Sequence, residues 1–186
     1  MNEQLTFDGK DFAAAIPAGD FYECTFTGCS FAGADVRDRT FESCSFEDCT
    51  FENARLLHTK IQECHFTGCK FQGLDFTVLS PFLLEWTWKN CQAKHCNFTE
   101  MNLAQWRAVH CDFEGSQFLS TQLEGASLDG SNLKNAHFEN SNLSGASLRN
   151  TTGLQLNLEL NRVKGLHLDL DQLPPLLAAH QLNIHV

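Results

Sequence analysis

The chain has 186 residues, enough for one domain with a sizeable core, and its 23 acidic against 13 basic side chains leave a formal net charge of −10. This excess of acid argues against a basic groove for DNA or RNA, so a charged partner is expected to be basic. Residues 1–10 contain no secretory signal, and no apolar run is long enough to span a bilayer, so we expect a soluble, cytoplasmic protein without a membrane partner. Nine cysteines, an odd number, then predict free thiols rather than a disulfide framework.

The first 19 residues precede the regular part of the sequence. Phe7 and Phe12 are five residues apart but out of phase with the pattern that follows, and Pro17 with Gly19 marks a turn. We expect residues 1–19 to form an N-terminal cap or part of an extra coil.

From Phe21 onward an apolar residue recurs at every fifth position. After a shift of two residues the series resumes and continues to Leu148. Thirteen of the 16 Phe are such centres. The two series are Phe21, Phe26, Phe31, Val36, Phe41, Phe46, Phe51, Leu56, Ile61, Phe66, Phe71, Phe76, and then Trp88, Ala93, Phe98, Leu103, Ala108, Phe113, Phe118, Leu123, Leu128, Leu133, Phe138, Leu143, Leu148.

The position two residues before each centre is usually small, and all nine cysteines lie there. A period of five fits neither an α-helix nor a strand, so a turn must recur every five residues. Cys24, Cys44 and Cys64 are 20 residues apart, which predicts four sides per coil. Stacked coils would bury one large and one small residue per side, so the fold class is an all-β solenoid.

Two columns of charge agree with a coil of 20 residues. They should stack opposite signs on consecutive coils, as cross-strand pairs do in a sheet. The columns are Asp35, Arg55, Asp75 and Lys94, Glu114, Lys134.

Tandem runs such as residues 126–135 and 44–51 resemble the A(D/N)LXX pattern of the pentapeptide-repeat proteins. The motif match extends from about Phe21 to Leu148. The resemblance implies a right-handed quadrilateral β-helix, which we expect to occupy residues 20–170.

The register breaks between Phe76 and Trp88, where the spacing is 12 instead of 10 residues. A two-residue insertion at Pro81 explains the break, because proline cannot donate to a ladder. The insertion is either a bulge between two halves or a protruding recognition loop formed by Leu79, Pro81 and Phe82. Large and small residues also exchange positions here: tryptophans occupy two small positions and alanines two large ones, namely Trp86, Trp106, Ala93 and Ala108.

Residues 171–186 differ from the repeat. Asp171 and the following prolines suit the start of a short C-terminal α-helix from about Leu173 to Gln181. The segment is too apolar for a free tail, so it either covers its own last coil or forms a two-fold dimer interface. The resemblance to the dimeric quinolone-resistance branch of the family favours a homodimer through Leu173, Pro174, Leu176, Leu177, Leu182 and Ile184.

No catalytic set is present in the sequence. It has no glycine-rich phosphate loop and no Cys-x-x-Cys or His-Glu-x-x-His motif. Stacked thiols would form a line rather than a tetrahedron, so the cysteines are interpreted as packing residues and not as metal ligands. We expect a protein that is not an enzyme and binds no cofactor and no metal.

The remaining function is binding at the surface. The repeat region predicts a rod of roughly 36 Å, and about 70–80 Å for an end-to-end dimer of charge 2 × −10 = −20. B-DNA of that length carries about 40–47 charges, so mimicry of DNA requires the acidic residues to gather on one side. The candidate acidic residues are Asp38, Glu42, Glu47, Asp48, Glu52, Glu100, Asp112, Glu124, Asp129 and Glu139.

The resemblance to the quinolone-resistance and gyrase-protecting branch implies a specific partner. Such a protein would mimic DNA, bind DNA gyrase or topoisomerase IV, and protect the enzyme from quinolones or other poisons, without binding nucleic acid itself. The alternative is a structural scaffold that binds another basic protein.

Overall fold

The computed structural model describes residues 1–81 and 84–178. Short parallel strands stack on two adjacent sides of a coil. Side 1 consists of four strands in the order β1-β3-β5-β7, and side 2 of six strands in the order β10-β9-β8-β6-β4-β2. The strands are β1 (Asn2–Glu3), β2 (Thr6–Asp8), β3 (Phe21–Tyr22), β4 (Thr25–Thr27), β5 (Thr40–Glu42), β6 (Ser45–Glu47), β7 (Lys60–Gln62), β8 (His65–Thr67), β9 (Thr87–Lys89) and β10 (Arg107–Val109).

The other two sides are joined by single parallel bridges. Side 3 contains bridges such as Ser30 with Thr50, and side 4 contains bridges such as Asp35 with Arg55. Bridged positions are 20 residues apart over most of the chain, as the cysteine spacing predicts. The fold is therefore the pentapeptide-repeat type of β-solenoid that the sequence pattern predicts.

The register departs from 20 residues at two places. Phe66 pairs with Trp88, a spacing of 22, so the insertion lies between the sides that these residues bound. Phe7 pairs with Phe26 and Asp11 bridges to Ser30, both at a spacing of 19. Much of the expected N-terminal cap is thus a coil of its own, and a difference of one residue explains why Phe7 and Phe12 are out of phase with later centres.

A left-handed corner residue ends each regular side. It lies two positions after the centre and has a positive φ, as in Asp48 (φ 52°) and Asn53 (φ 56°). Glycine is required at some corners for space as well, because a Cβ on Gly130 would lie 2.2 Å from Nδ1 of His110. The corners explain the five-residue period, since each one redirects the chain onto the next side.

Stacked aromatic rings form the centre of the first coils. Phe26 stacks on Phe46 with ring centroids 4.8 Å apart and an angle of 4° between the planes. Phe31 stacks on Phe51 in the same way at 4.7 Å. Identical residues at intervals of 20 therefore pack face to face, which is why phenylalanine is selected.

The tryptophan exchange is confirmed as packing. Trp86 and Trp106 occupy small positions and are only 2% and 3% exposed. Trp88 leans onto the neighbouring side and stacks on Phe71 at 4.3 Å, above which the centre is the small Ala93. Large residues thus fill the volume that alanine centres leave.

Side chains in the small position also donate hydrogen bonds. The Ser116 hydroxyl donates to the Ala93 carbonyl at 2.6 Å, and Thr59 donates to the Val36 carbonyl at 2.8 Å. The Cys44 thiol lies 3.5 Å from the Phe21 carbonyl, on the previous coil, in the same geometry. The position therefore selects a small side chain with an S–H or O–H donor, a requirement that size alone does not indicate.

All nine cysteines are buried free thiols, as predicted. Burial is the main reason that the pKa of Cys96 rises to about 12. Since the thiolate is the reactive form, these thiols are protected both by packing and by protonation.

The C-terminal coils are less regular than the sequence pattern predicts. Beyond Leu148, Leu154 and Leu156 are buried, whereas Gly153, which continues the five-residue spacing, is exposed. A 3₁₀ helix (Leu170–Gln172) then leads into α1 (Leu173–Ala178). The helix begins where it is expected, and its predicted end at Gln181 lies outside the described residues.

The end of the solenoid is covered by this segment. The Gln172 amide donates to the carbonyls of Leu148 and Thr151 at 3.0 and 3.3 Å. Leu176 is 2% exposed and belongs to the core. The last coil is therefore closed by the chain's own C-terminal segment.

Replacement of Ser116 tests the role of the small position. Its hydroxyl also accepts from the Cys96 amide at 3.0 Å, so Ser116→Ala leaves a buried donor and a buried acceptor without their partner. We expect the free energy of unfolding to fall by about 1–3 kcal/mol. Ser116→Cys keeps a weak donor and should lose clearly less in urea unfolding. Equal stability of both variants and the parent would contradict this role.

The burial of the cysteines predicts that the native protein resists thiol reagents. At pH 8, all nine thiols should react with Ellman's reagent in urea, and none should react rapidly without it, because few thiolates form in the core. A rapidly reacting thiol in the native protein would show that the coil around it opens.

Candidate protein-binding surface

Acidic side chains gather on sides 1 and 2 of the first four coils. We call this surface the acidic half; it comprises residues 2–9, 20–28, 40–48 and 60–68. It contains one basic residue, Lys60. Its acidic residues are Glu3, Asp8, Asp20, Glu23, Glu42, Glu47, Asp48 and Glu63.

The carboxylates of the acidic half point outward, and some join neighbouring coils. Glu23 accepts from the Gln4 amide at 2.8 Å, and Glu63 accepts from the Ser43 hydroxyl at 3.0 Å. Glu47 and Asp48 are exposed, and Glu42 is half-buried beside them. These three side chains follow consecutive centres on sides 1 and 2, so they lie around one corner of the third coil.

The same two sides change sign further along the rod. The basic half comprises residues 86–90, 102–110, 122–130, 142–150 and 162–169. It contains three acidic residues, Glu124, Asp129 and Asp169. Its five basic residues are Lys89, Arg107, Arg149, Arg162 and Lys164, so the formal net charge is 5 − 3 = +2.

The charge density of the acidic half approaches that of DNA. Its formal side-chain charge is 1 − 8 = −7. With strands spaced by ~4.8 Å, four coils extend over about 19 Å, which gives one net charge per ~2.7 Å against one per ~1.7 Å in B-DNA. The density is therefore well above the average over the whole rod.

Only part of the predicted acidic set lies on this surface. The structure brings Glu42, Glu47 and Asp48 together. It places the others on side 3, on side 4 or in the basic half, in that order Glu52 and Asp112; Asp38, Glu100 and Glu139; Glu124 and Asp129.

Sequence reasoning missed five acidic residues of the acidic half. The signal was available in the 20-residue interval, which relates Glu3, Glu23, Glu42 and Glu63 to the same side within one or two positions. The expectation of a cap over residues 1–19 hid the contribution of Glu3 and Asp8.

Side 3 contains the predicted column of opposite charges. The Lys94 ammonium lies 3.1 Å from Asp112 and 3.0 Å from Glu114, and Lys134 lies 3.3 Å from Glu114. Hydrogen bonds from Lys94 and then Lys134 lower the pKa of Glu114 below its ordinary value of 4.5. This confirmed column stabilises the stack and leaves little net charge on its side.

The predicted column on side 4 forms only in part. Asp35 lies 2.7 Å from Arg37 on its own coil and 3.8 Å from Arg55 on the next. Asp75 instead accepts from the amide and hydroxyl of Thr77, at the start of the 3₁₀ helix Phe76–Val78. The backbone just before the insertion therefore uses the third carboxylate locally.

The expected recognition loop is not uniformly exposed. Leu79 is 6% exposed and packs in the core, whereas Pro81 is exposed. Phe82 lies outside the described residues. An exposed role for the loop thus depends on residues after Leu79.

The proposed dimer residues divide in a similar way. Leu176 packs on its own chain, Leu173 and Leu177 are half-buried, and Pro174 is exposed. Leu182 and Ile184 lie outside the described residues. The homodimer stays a prediction, and light scattering would test it.

The described part of the chain offers surfaces rather than a reaction centre. No group of three or more histidine, cysteine, aspartate or glutamate side chains within it is arranged to hold a metal ion. No helix in the same part is both long and apolar enough to cross a membrane. The acidic half is the surface with the greatest concentration of one charge.

The family model described as "Pentapeptide repeat region" matches residues 19–80 and 83–163, most of the chain. The chain belongs to the pentapeptide-repeat family. No curated protein matches it in sequence.

Solved pentapeptide-repeat structures share the fold at low sequence identity. A trypsin-treated variant of QnrB1, a plasmid-mediated fluoroquinolone resistance protein, is 20% identical, with 99% of each chain covered and a TM-score of 0.52. HetL from the cyanobacterium Nostoc, a protein involved in heterocyst differentiation regulation, is 16% identical over 89% of this chain and 83% of its own, with a TM-score of 0.56. Such similarity establishes the fold, which proteins of different roles share.

The charge column on side 3 of this pentapeptide-repeat protein predicts a pH-dependent contribution to stability. Because the folded-state pKa of Glu114 is lowered, its contribution is present above about pH 4.5 and is lost as the pH falls through the lower folded value. We expect Glu114→Gln to lower the urea midpoint at pH 7 but to match the parent in strong acid. Glu139→Gln, at an exposed position, is the control. A difference that stays constant with pH would contradict the electrostatic explanation.

Proposed function

We propose that this protein mimics DNA and binds the DNA-binding surface of a type II topoisomerase, either DNA gyrase or topoisomerase IV. By occupying that surface it would protect the enzyme from quinolones or other poisons, or modulate its activity. The observation that supports the proposal is the acidic half, where eight carboxylates and one basic residue share two adjacent sides of four coils. The protein would act by binding, without catalysis.

The geometry of the acidic half suits a protein surface that binds duplex DNA. Parallel coils repeat the outward positions at a constant spacing of ~4.8 Å, so the carboxylates form rows along a straight rod. The acidic half covers about 19 Å, equivalent to roughly six base pairs at ~3.4 Å each. It would therefore occupy a short section of a DNA-binding surface.

The change of sign limits the mimicry to one part of the rod. The basic half would be repelled by a continuous basic surface, so only the acidic half would be inserted. In a homodimer joined through the C-terminal segments, the two acidic halves would lie at the outer ends. Such a dimer would present two separate acidic surfaces with the basic halves between them.

The alternative function is a scaffold that binds another basic protein. The similarity to HetL supports it as far as the fold is concerned, since that protein has a role in cell differentiation. The same acidic half would serve this function. A topoisomerase assay separates the two functions because only the first requires an effect on gyrase.

Charge reversal within the acidic half tests the proposal. Glu42 and Glu47 each follow a centre, on sides 1 and 2 of one coil. The double variant Glu42→Lys, Glu47→Lys should lose the effect on gyrase supercoiling, and on its inhibition by a fluoroquinolone, by about tenfold or more in effective concentration. The measurement is a supercoiling assay with and without the drug at micromolar protein.

The matched control is Glu124→Lys, Glu139→Lys. These residues also follow their centres and the net charge changes equally, but neither lies in the acidic half. The control should keep the parent effect. No effect of the parent on gyrase would reject the topoisomerase proposal, and equal losses in both double variants would reject the acidic half as its binding surface.

A further inference from the structure

The two ends of the solenoid differ in how they are covered. At the C-terminal end, Gln172 and Leu176 close the last coil. At the other end, β1 and β2 are the outermost strands of their sheets, and no segment of residues 1–81 or 84–178 pairs with their outer edge. The first coil therefore exposes an open edge of parallel sheet, which is a template for strand addition.

The backbone of the first coil has hydrogen-bonding groups directed at this open edge. The amides of Asn2, Gln4 and Gly9 donate to the second coil. Because successive residues of a strand direct their amides and carbonyls to opposite sides, Glu3 and Asp8 direct theirs away from the second coil. A segment lying along the edge would find donors and acceptors at the spacing of a parallel ladder.

The core at this end has room for one more stacked side chain. Phe7 stacks on Phe26 at 4.9 Å with an angle of 9° between the rings. Phe26 is fully buried, whereas Phe7 is half-buried because nothing lies on its other face. Leu5 is 43% exposed at the adjacent corner. An incoming aromatic or large aliphatic side chain placed on Phe7 would continue the stack.

The outward side chains at the edge select the charge of the occupant. Glu3, Asp8 and Asp11 are exposed, and Lys10 is the only basic residue among residues 1–12. Elsewhere neighbouring coils place complementary groups side by side, as Lys94 and Glu114 do at 3.0 Å. A second copy would bring the same acidic residues to the edge and be repelled, whereas lysine or arginine would be attracted.

We propose that this open edge binds an extended, basic segment of a partner protein by strand addition. The segment would add a strand below β2, place an apolar side chain on Phe7, and place lysine or arginine beside Glu3 and Asp8. Backbone pairing supplies affinity, and the apolar and acidic positions supply specificity. The inference does not depend on gyrase, since it concerns the edge of the first coil and not the rows of carboxylates along the rod.

The probe is an acetylated, amidated octapeptide in which lysine alternates with valine around a central phenylalanine. Binding of its fluorescein derivative to the whole protein is measured by anisotropy, and the contact by amide chemical shifts in the ¹⁵N-labelled protein. We expect saturable binding, with shifts concentrated in residues 2–9. A peptide with glutamate in place of lysine should not bind.

Two controls separate strand addition from simple attraction between charges. A peptide with N-methyl groups on alternate amides keeps its charge but cannot pair along the edge, and it should lose binding. The double variant Glu3→Lys, Asp8→Lys should raise the peptide's Kd by about threefold to tenfold. Glu52→Lys, Glu139→Lys makes the same charge change at equivalent positions of sides 3 and 4 and should leave Kd within about twofold.

Three results would overturn the proposal. The N-methylated peptide could bind as tightly as its parent, which would indicate charge attraction alone. The amide shifts could lie mainly on sides 3 and 4 or in the basic half. Light scattering could also find dimers in which residues 2–9 are the contact, as judged by amide shifts on dilution, so that a second copy occupies the edge. The supercoiling assay with Glu42→Lys, Glu47→Lys is read separately, so either proposal can fail alone.

Discussion

The left-handed corner after every five residues is the constraint on which the rest of this solenoid depends. Asp48, Asn53 and His58 all adopt φ between 52° and 58° at successive corners. Such backbone costs on the order of 1 kcal/mol for a residue other than glycine, and asparagine and aspartate tolerate it best. The coil can sustain many corners because each is followed by backbone hydrogen bonds to the adjacent coils, as from the Asp48 amide to the Thr67 carbonyl at 2.9 Å.

A regular corner makes the side chains of successive coils coincide. Phe26 and Phe46 stack because each lies midway between corners, 20 residues apart. Ser116 and Cys44 reach the carbonyl of the preceding coil from the same position. The interior is thus selected twice, by volume at the centre and by volume plus a donor two residues earlier. Where volume changes at Ala93, Trp88 from the neighbouring side fills the space.

Much of the architecture could be predicted because the repeat records the corner directly. The intervals between Cys24, Cys44 and Cys64 contained the number of sides, and the exchange of Trp106 with Ala108 already indicated packing. The first coil was harder, because one residue fewer between Phe7 and Phe26 shifts the phase without changing the structure. After Leu148 the burial of Leu154 depends on the C-terminal cover, which no periodicity encodes.

The binding surface was less predictable than the fold for a physical reason. Outward residues are not selected by packing, so a carboxylate such as Glu100 or Glu139 satisfies the repeat as well as Glu47 does. Their grouping emerges only when every coil is assigned to its sides. That assignment reveals two adjacent sides that are acidic over four coils and slightly basic beyond them.

Carboxylate footprinting of the complex with gyrase tests the central claim about this surface most directly. Exposed carboxylates are coupled to glycine ethyl ester with carbodiimide in the free protein and in the complex, and the labelled sites are identified by mass spectrometry. The account predicts protection of Glu42, Glu47 and Asp48, with Glu124 and Glu139 labelled as in the free protein. Equal labelling of Glu42 and Glu47 in both states, or protection confined to the basic half, would contradict it.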